Sequence, residues 1–276
     1  MSDEVKITLV VENTVHKSGL LAEHGLSFWI DYQGDSYLFD TGQGQILSHN
    51  LKTLNLDVSD LAGVLLSHGH YDHAGGLNEI LEAEPEKEVY AHPDVFLPKY
   101  SQKTSGKVFR GFSVTKDEIM NFNPVTNLTE IRAGVWLTGE VPRQNNWEQL
   151  NEHYQVKIDE EIKTDQFKDD QSLVLDTEQG LVIILGCSHA GVINILSYVQ
   201  QNFPQKIHAI IGGMHLVNAS QKRIDWTIKE LENIDFDRLI PLHCTGERAG
   251  REMYTAFGDR VESKSVGDRI KLKGKR

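Results

Sequence analysis

Apolar residues along this chain fall into many short runs separated by polar turns, with no long uninterrupted apolar stretch. Lys6 to Val11, Ser27 to Tyr32 and Tyr37 to Phe39 read as strands, and Gln33-Gly34-Asp35 is a hairpin turn signal between the last two. Gln45 to Leu54 predicts a helix, Val64-Leu65-Leu66 a buried strand, Gly76-Leu77 the start of another helix and Val89-Tyr90-Ala91 a further strand. The second half repeats this alternation. Strands are predicted at Val135 to Thr138, Ser172 to Asp176, Leu181 to Leu185, Ile207 to Ile211 and Leu239 to Leu242. Helices are predicted at Val192 to Gln201, at Gln221 to Glu232 and, in short form, after Gly246. Strands joined both by hairpins and by helices imply an α/β sandwich with helices outside two packed sheets. No composition break argues for a second domain, so residues 1–276 read as one. Residues 94–127, where Lys99, Lys103, Lys107 and Arg110 alternate with Phe96, Tyr100, Phe109 and Phe112, read as a lid or insertion, and Lys271 to Arg276 as a solvated basic tail.

One cluster changes the picture from fold to chemistry. His68-Gly69-His70-Tyr71-Asp72-His73 follows the apolar run Gly63-Val64-Leu65-Leu66. It offers imidazole and carboxylate donors, the ligands that zinc, iron and manganese accept. In an extended segment the period of two puts His68, His70 and Asp72 on one side, and Gly69 with Gly75-Gly76 lets His73 turn back toward them.

The His-x-His-x-Asp-His pattern after a strand resembles the metallo-β-lactamase superfamily, and the resemblance continues along the chain. Leu181 to His189 has the form of the strand that ends in a third histidine for the first metal. Leu239 to Cys244 fits the strand carrying the last histidine of the second metal, and Tyr37 to Gly42 fits the strand whose Asp40 supports the site from behind the ligands. The resemblance implies an αββα sandwich of two mixed sheets and two divalent metals, zinc or alternatively manganese or iron. It implies His68, His70 and His189 on one metal, and Asp72, His73 and His243 on the other, with His215 as an extra ligand or substrate contact. Glu23 to Ser27, Gly139 to Arg143, Asp169 to Ser172, Gly212 to Leu216 and His243 to Gly246 further resemble the branch labelled 7,8-dihydropterin-6-methyl-4-(β-D-ribofuranosyl)-aminobenzene-5'-phosphate synthase.

One departure stands out. The carboxylate that bridges the two metals in many members is absent where Lys206 to Gly212 leads into Gly213, so the second metal is expected to be the weaker. Cys187 and Cys244 neighbour His189 and His243 but read as small buried thiols rather than ligands. His16, His49, His92, His153 and His208 read as ordinary histidines.

The function implied is a metal-dependent hydrolase that uses a metal-held water on a small anionic, phosphoester substrate. Asp72 orients the water, His24 reaches the substrate or takes part in catalysis, His215 assists, and Arg143 clamps phosphate. The rivals are a transferase that displaces diphosphate by an arylamine, and a metal-holding sensor without turnover. No Gly-x-Ser-x-Gly elbow suggests a serine nucleophile. A formal charge of −12 disfavours nucleic acid as a partner. No apolar run is long enough to span a bilayer, and Met1 to Lys6 lacks a signal peptide's pattern, which makes the cytoplasm the expected location. Two cysteines make no disulfide framework.

Overall fold

Runs such as Gly180-Leu181-Val182-Ile183-Ile184-Leu185 are apolar at every position because both faces of the strand are covered. Val182 and Ile184 point into the space between two sheets, whereas Leu181, Ile183 and Leu185 point outward against helices. That division repeats through the computed structural model, which describes residues 4–274.

In the first half, β1 (Glu4–Val11), β2 (Ser27–Tyr32) and β3 (Asp35–Phe39) form an antiparallel meander. Helix α1 (Leu47–Leu54) returns the chain to β4 (Leu61–Leu65), parallel to β3. The short α2 (Tyr71–Ala74) and α3 (Leu77–Ala83) lead to β5 (Glu88–Ala91), again parallel. Next come β6 (Lys99–Lys103), β7 (Gly106–Phe109), β8 (Asn121–Pro124), β9 (Thr129–Arg132) and β10 (Val135–Leu137).

The second half holds β11 (Tyr154–Ile158), β12 (Glu161–Thr164), β13 (Leu173–Thr177) and β14 (Gly180–Leu185). Helix α4 (Val192–Asn202), β15 (Ile207–Gly212), α5 (Gln221–Glu232), β16 (Phe236–Pro241), α6 (Glu247–Phe257) and β17 (Arg269–Lys273) complete the chain. One sheet has the order β17-β1-β2-β3-β4-β5-β8, and the sheet packed on it has the order β16-β15-β14-β13-β10-β9. Ile7, Phe28, Ile30 and Phe39 meet Leu173, Leu175, Ile184 and Ile211 between them. Outside, α1 and α3 cover the first sheet through Leu47, Leu51, Leu77 and Ile80, and α4, α5 and α6 cover the second through Leu196, Val199, Ile224, Leu231 and Met253. The expected αββα sandwich is the architecture of this chain.

Two expectations need correction, and one hairpin was not foreseen. The 94–127 segment is not a single insertion: its β8 extends the first sheet, while β6 and β7 pair with β11 and β12 in a third, antiparallel sheet of order β12-β11-β6-β7. The β11–β12 hairpin escaped prediction because its two-residue turn is Asp159-Glu160, both with positive φ (49° and 68°), a conformation usually signalled by Gly or Asn. The basic tail is not simply solvated, since Lys271, Leu272 and Lys273 pair with Lys6, Val5 and Glu4. Met1 to Asp3 of the N-terminal reading and Lys275-Arg276 of the tail lie outside the described residues.

Candidate metal centre

The site lies beyond the carboxyl ends of the parallel strands, where α/β sheets leave room for ligands. Asp40 follows β3, the His68 to His73 loop follows β4, Cys187 and His189 follow β14, His215 follows β15 and His243 follows β16. Asp40, Ser188, His215 and His243 all take left-handed backbone conformations (φ 61°, 59°, 51° and 49°). Each such turn costs about 1–3 kcal/mol for a residue other than glycine, so their concentration here marks a built site.

Within the first loop the structure departs from a purely extended reading. Asp72 and His73 sit in the helical turn α2, with the N–H groups of His73 and Ala74 donating to the His70 carbonyl (3.0 and 2.9 Å). The turn directs Asp72 away from the His68 and His70 side: its Oδ2 is 3.0 Å from His24 Nε2 and 3.5 Å from His243 Nε2. Gly69 is required by close approach, because a Cβ there would lie 2.1 Å from the Val95 carbonyl oxygen. Its N–H donates to Asp169 Oδ2 (2.8 Å), which fixes the loop from below.

Hydrogen bonds decide which imidazole nitrogen faces the centre. Asp40 accepts from the Ser67 N–H and hydroxyl (both 2.7 Å), so the Ser67 oxygen is left to accept from His68 Nδ1 (2.9 Å). His73 Nδ1 donates to Asp40 Oδ2 (2.7 Å) and His243 Nδ1 to Asn13 Oδ1 (2.9 Å). Anchoring Nδ1 in this way turns the Nε2 of His68, His73 and His243 inward and raises ligand basicity. Nε2 of His68 is 3.1 Å from His70 Nδ1, and Nε2 of His73 is 3.3 Å from His243 Nε2. Nitrogens about 2 Å from a tetrahedral zinc lie roughly 3.3 Å apart, so both separations match a shared cation.

Burial pushes His68 and His189 well below the usual imidazole range and His70 down to about 3, so all three stay neutral at pH 7 as ligands must. Burial works against a charge on His73 too, but Asp40 overcomes it and pushes that ring up to about 9. Asp72 is likewise opposed by burial, yet hydrogen bonds from His24 and His243 hold it well below the carboxylate range. The buried Nε2 atoms of His70 and His189 have no hydrogen-bond partner. The orphaned His189 nitrogen beside the facing nitrogens of His68 and His70 fits a transition metal, and the donor set fits two.

His189 closes the first set: its ring centroid is 4.9 Å from those of both His68 and His70. His215 lies 4.4 Å from the His189 ring, its buried Nδ1 without a partner and its Nε2 3.4 Å from the Tyr154 hydroxyl. His24 stands at the mouth, its side chain 55% exposed and its ring 4.8 Å from His243. Its hydrogen bond to Asp72 raises its pKa.

Arg143 does not have the form expected of a phosphate clamp. Its guanidinium donates to the carbonyls of Glu148 (2.8 Å), Ala190 (3.2 Å) and His189 (2.8 Å), and so holds the loop that carries His189. The half-buried Arg110 donates to the Ser101 hydroxyl (2.8 Å) and lies beside Tyr71 of the histidine loop through a 3.4 Å contact to its hydroxyl. His49, His92 and His208 bond elsewhere, to Gly19, Asp94 and Asp237. Tyr154, Phe167, Asn13 and Arg110 were missed as site residues. Phe167 stacks on His189 (centroids 4.1 Å apart, rings 8° from parallel) and Tyr154 stands edge-on to it, but neither sits in a motif that announces it. A separate cavity of about 770 Å³ adjoins His243, Asn13 and Tyr254 and is not lined by His24, Asp72 or Tyr154.

Gly213 sits where the missing bridge was sought, and it has no room for a side chain. A Cβ there would lie 2.4 Å from the Gly186 carbonyl oxygen and 2.6 Å from Cys244 Sγ.

The metallo-beta-lactamase superfamily model matches residues 21–199. A 7,8-dihydropterin-6-methyl-4-(beta-D-ribofuranosyl)-aminobenzene-5'-phosphate synthase from Methanocaldococcus jannaschii is 28% identical, over 98% of this chain and 97% of its own. An uncharacterized protein from the same organism is 32% identical, over 88% and 91%. A crystal structure of a metal-dependent hydrolase of the beta-lactamase superfamily superposes with a TM-score of 0.85 at 30% identity, covering 98% of this chain and 99% of the other. With its αββα sandwich, its histidine cluster beyond the parallel strands and these matches, the chain belongs to the metallo-beta-lactamase superfamily.

Proposed function

We propose that this protein is a two-metal hydrolase of small anionic esters, with phosphoesters as the preferred class. The observation that carries the reading is the pair of facing nitrogen sets, His68 Nε2 with His70 Nδ1 and His73 Nε2 with His243 Nε2, at the spacing of ligands around two cations. His68, His70 and His189 would hold one metal and Asp72, His73 and His243 the other, with His215 beside the first set. Two such metals would supply a nucleophilic water at neutral pH and positive charge for a phosphoryl group.

The chain's own residues divide the remaining work. Asp72 orients the nucleophile from the second set. His24, exposed at the mouth and with its pKa raised by the hydrogen bond to Asp72, would be the group that passes a proton to the leaving oxygen. Phe167 and Tyr154 wall off His189 from water. Arg110 takes over the anion-binding role from Arg143, whose guanidinium is committed to backbone carbonyls. A transferase reading has one specific support, the near full-length relative named as a synthase. In it the metals held by the same residues would supply positive charge for a departing diphosphate, with an arylamine as the attacking group.

The test is a screen of metal-loaded protein against a bis-aryl phosphodiester, phosphomonoesters, thioesters and lactones, with and without an added arylamine. Turnover of the phosphodiester without amine supports the hydrolase, and turnover that requires the amine replaces it with the transferase. No turnover of any class despite full metal loading favours a sensor. A hydrogen bond to a charged group contributes about 1.5–3 kcal/mol, so Arg110→Gln should lower kcat/KM for the phosphodiester roughly ten- to hundredfold and leave a neutral ester nearly unchanged. Equal effects on both would remove Arg110 from this role.

A further inference from the structure

The two candidate metals have too little negative charge around them. Five imidazoles and one ligating carboxylate, Asp72, would face two dications, and Asp40 acts from behind through His73. Gly213 cannot supply the bridge, because the space beside it is filled by Gly186, Cys187 and Cys244.

Cys187 Sγ lies where that charge is needed. It is 3.1 Å from His73 Nε2, in the second set. It is also grouped with the ligand atoms of His68 and His189, in the first set, all within 4.8 Å of one another. The same sulfur belongs to the His73 and His243 group, so it lies between the two sets. Ser188, held left-handed with its hydroxyl donating to the Gly213 carbonyl (2.7 Å), makes the turn that brings both Cys187 and His189 to the centre. A buried structural thiol ordinarily packs among apolar carbons. Cys187 instead faces the imidazoles of His68, His73 and His243, whose Nδ1 atoms are already bonded to Ser67, Asp40 and Asn13, with the Cys244 sulfur beside it.

We infer that Cys187, as a thiolate, is a ligand shared between the two metal positions and takes the place of the bridging carboxylate. The S–H proton leaves to solvent as the metals bind, and the sulfur electron pairs go to the cations. This replaces both the reading of Cys187 as an inert thiol and the argument that the second position is weak for want of a bridge. It rests on the two-metal reading above.

Cobalt(II) loading tests it, because a cobalt–thiolate bond gives a near-ultraviolet charge-transfer band that imidazole and carboxylate do not. The loaded protein should show the band with two metal equivalents. Cys187→Ser should lose the band and one equivalent on dialysis against chelator, whereas Cys244→Ser should keep both. Cys187→Asp should lose the band but retain two equivalents, since the carboxylate restores the charge. It also serves as the readout if Cys187→Ser fails to fold. Two equivalents without a band in the parent would overturn the inference and leave the two-metal reading standing, and so would a band lost only in Cys244→Ser. No bound metal in the parent would overturn both.

Discussion

Single residues carry the chemistry of the candidate metal centre, and their arrangement separates candidate ligands from supports. His68 and His73 both point Nε2 inward because Ser67 and Asp40 hold their Nδ1 atoms, so Asp40 acts on two ligands through one carboxylate. Replacing His68 and His70 together by Ala should remove the first metal and abolish turnover. Elemental analysis that finds the parent's full metal content in that variant would refute the ligand assignment. The two histidines were legible from their spacing after a strand. Asn13 and Tyr154 were not, because they lie 230 and 61 residues from the histidines they touch.

At the level of elements, the third sheet is tied to the centre through a buried cation. Lys99, in β6, donates to Asp165 (2.8 Å) and Asp169 (2.9 Å), and all three side chains are buried. Asp169 accepts from Gly69 in the His68 to His73 loop, and Asp165 accepts from the N–H of Phe167, which stacks on His189. One ammonium thus connects a peripheral sheet to both sides of the first histidine set. Lys99→Met leaves two buried carboxylates without their cation, and breaking such a pair costs about 3–5 kcal/mol. Urea unfolding should show a loss of that order together with reduced metal content. A change below about 1 kcal/mol would mean that Lys99 does not hold the sheet to the loop.

For the molecule as a whole, the formal charge of −12 acts at long range, while the candidate cations are concentrated in one site. Duplex DNA or tRNA should therefore bind weakly at physiological salt, and compact phosphates should bind in a metal-dependent way. Tight duplex binding by the metal-loaded protein would contradict this. No helix among the described residues is long and apolar enough to cross a membrane.

The αββα order was readable from the chain because its strands and helices differ in apolar period. Gln221–Glu232 carries a helical pattern, and Gly180–Leu185 is apolar at every position as a strand buried on both faces must be. The clustering of the histidine loop was readable because its donors are close in sequence, so local spacing alone brings them near one another. Local pattern misjudged what depends on distant segments. The third sheet joins residues 99–109 to 154–164 by pairing β6 with β11, whose own hairpin to β12 has a turn without glycine, and Arg143 is committed by carbonyls near residue 190 that its own neighbourhood does not reveal. Cys187 was visible beside His189, but its role depends on where β4, β14 and β16 end relative to one another. The sequence by itself determined the elements and the donor types. Only the packing of two sheets decided which donors share a centre, because convergence of side chains more than a hundred residues apart is a property of the folded core.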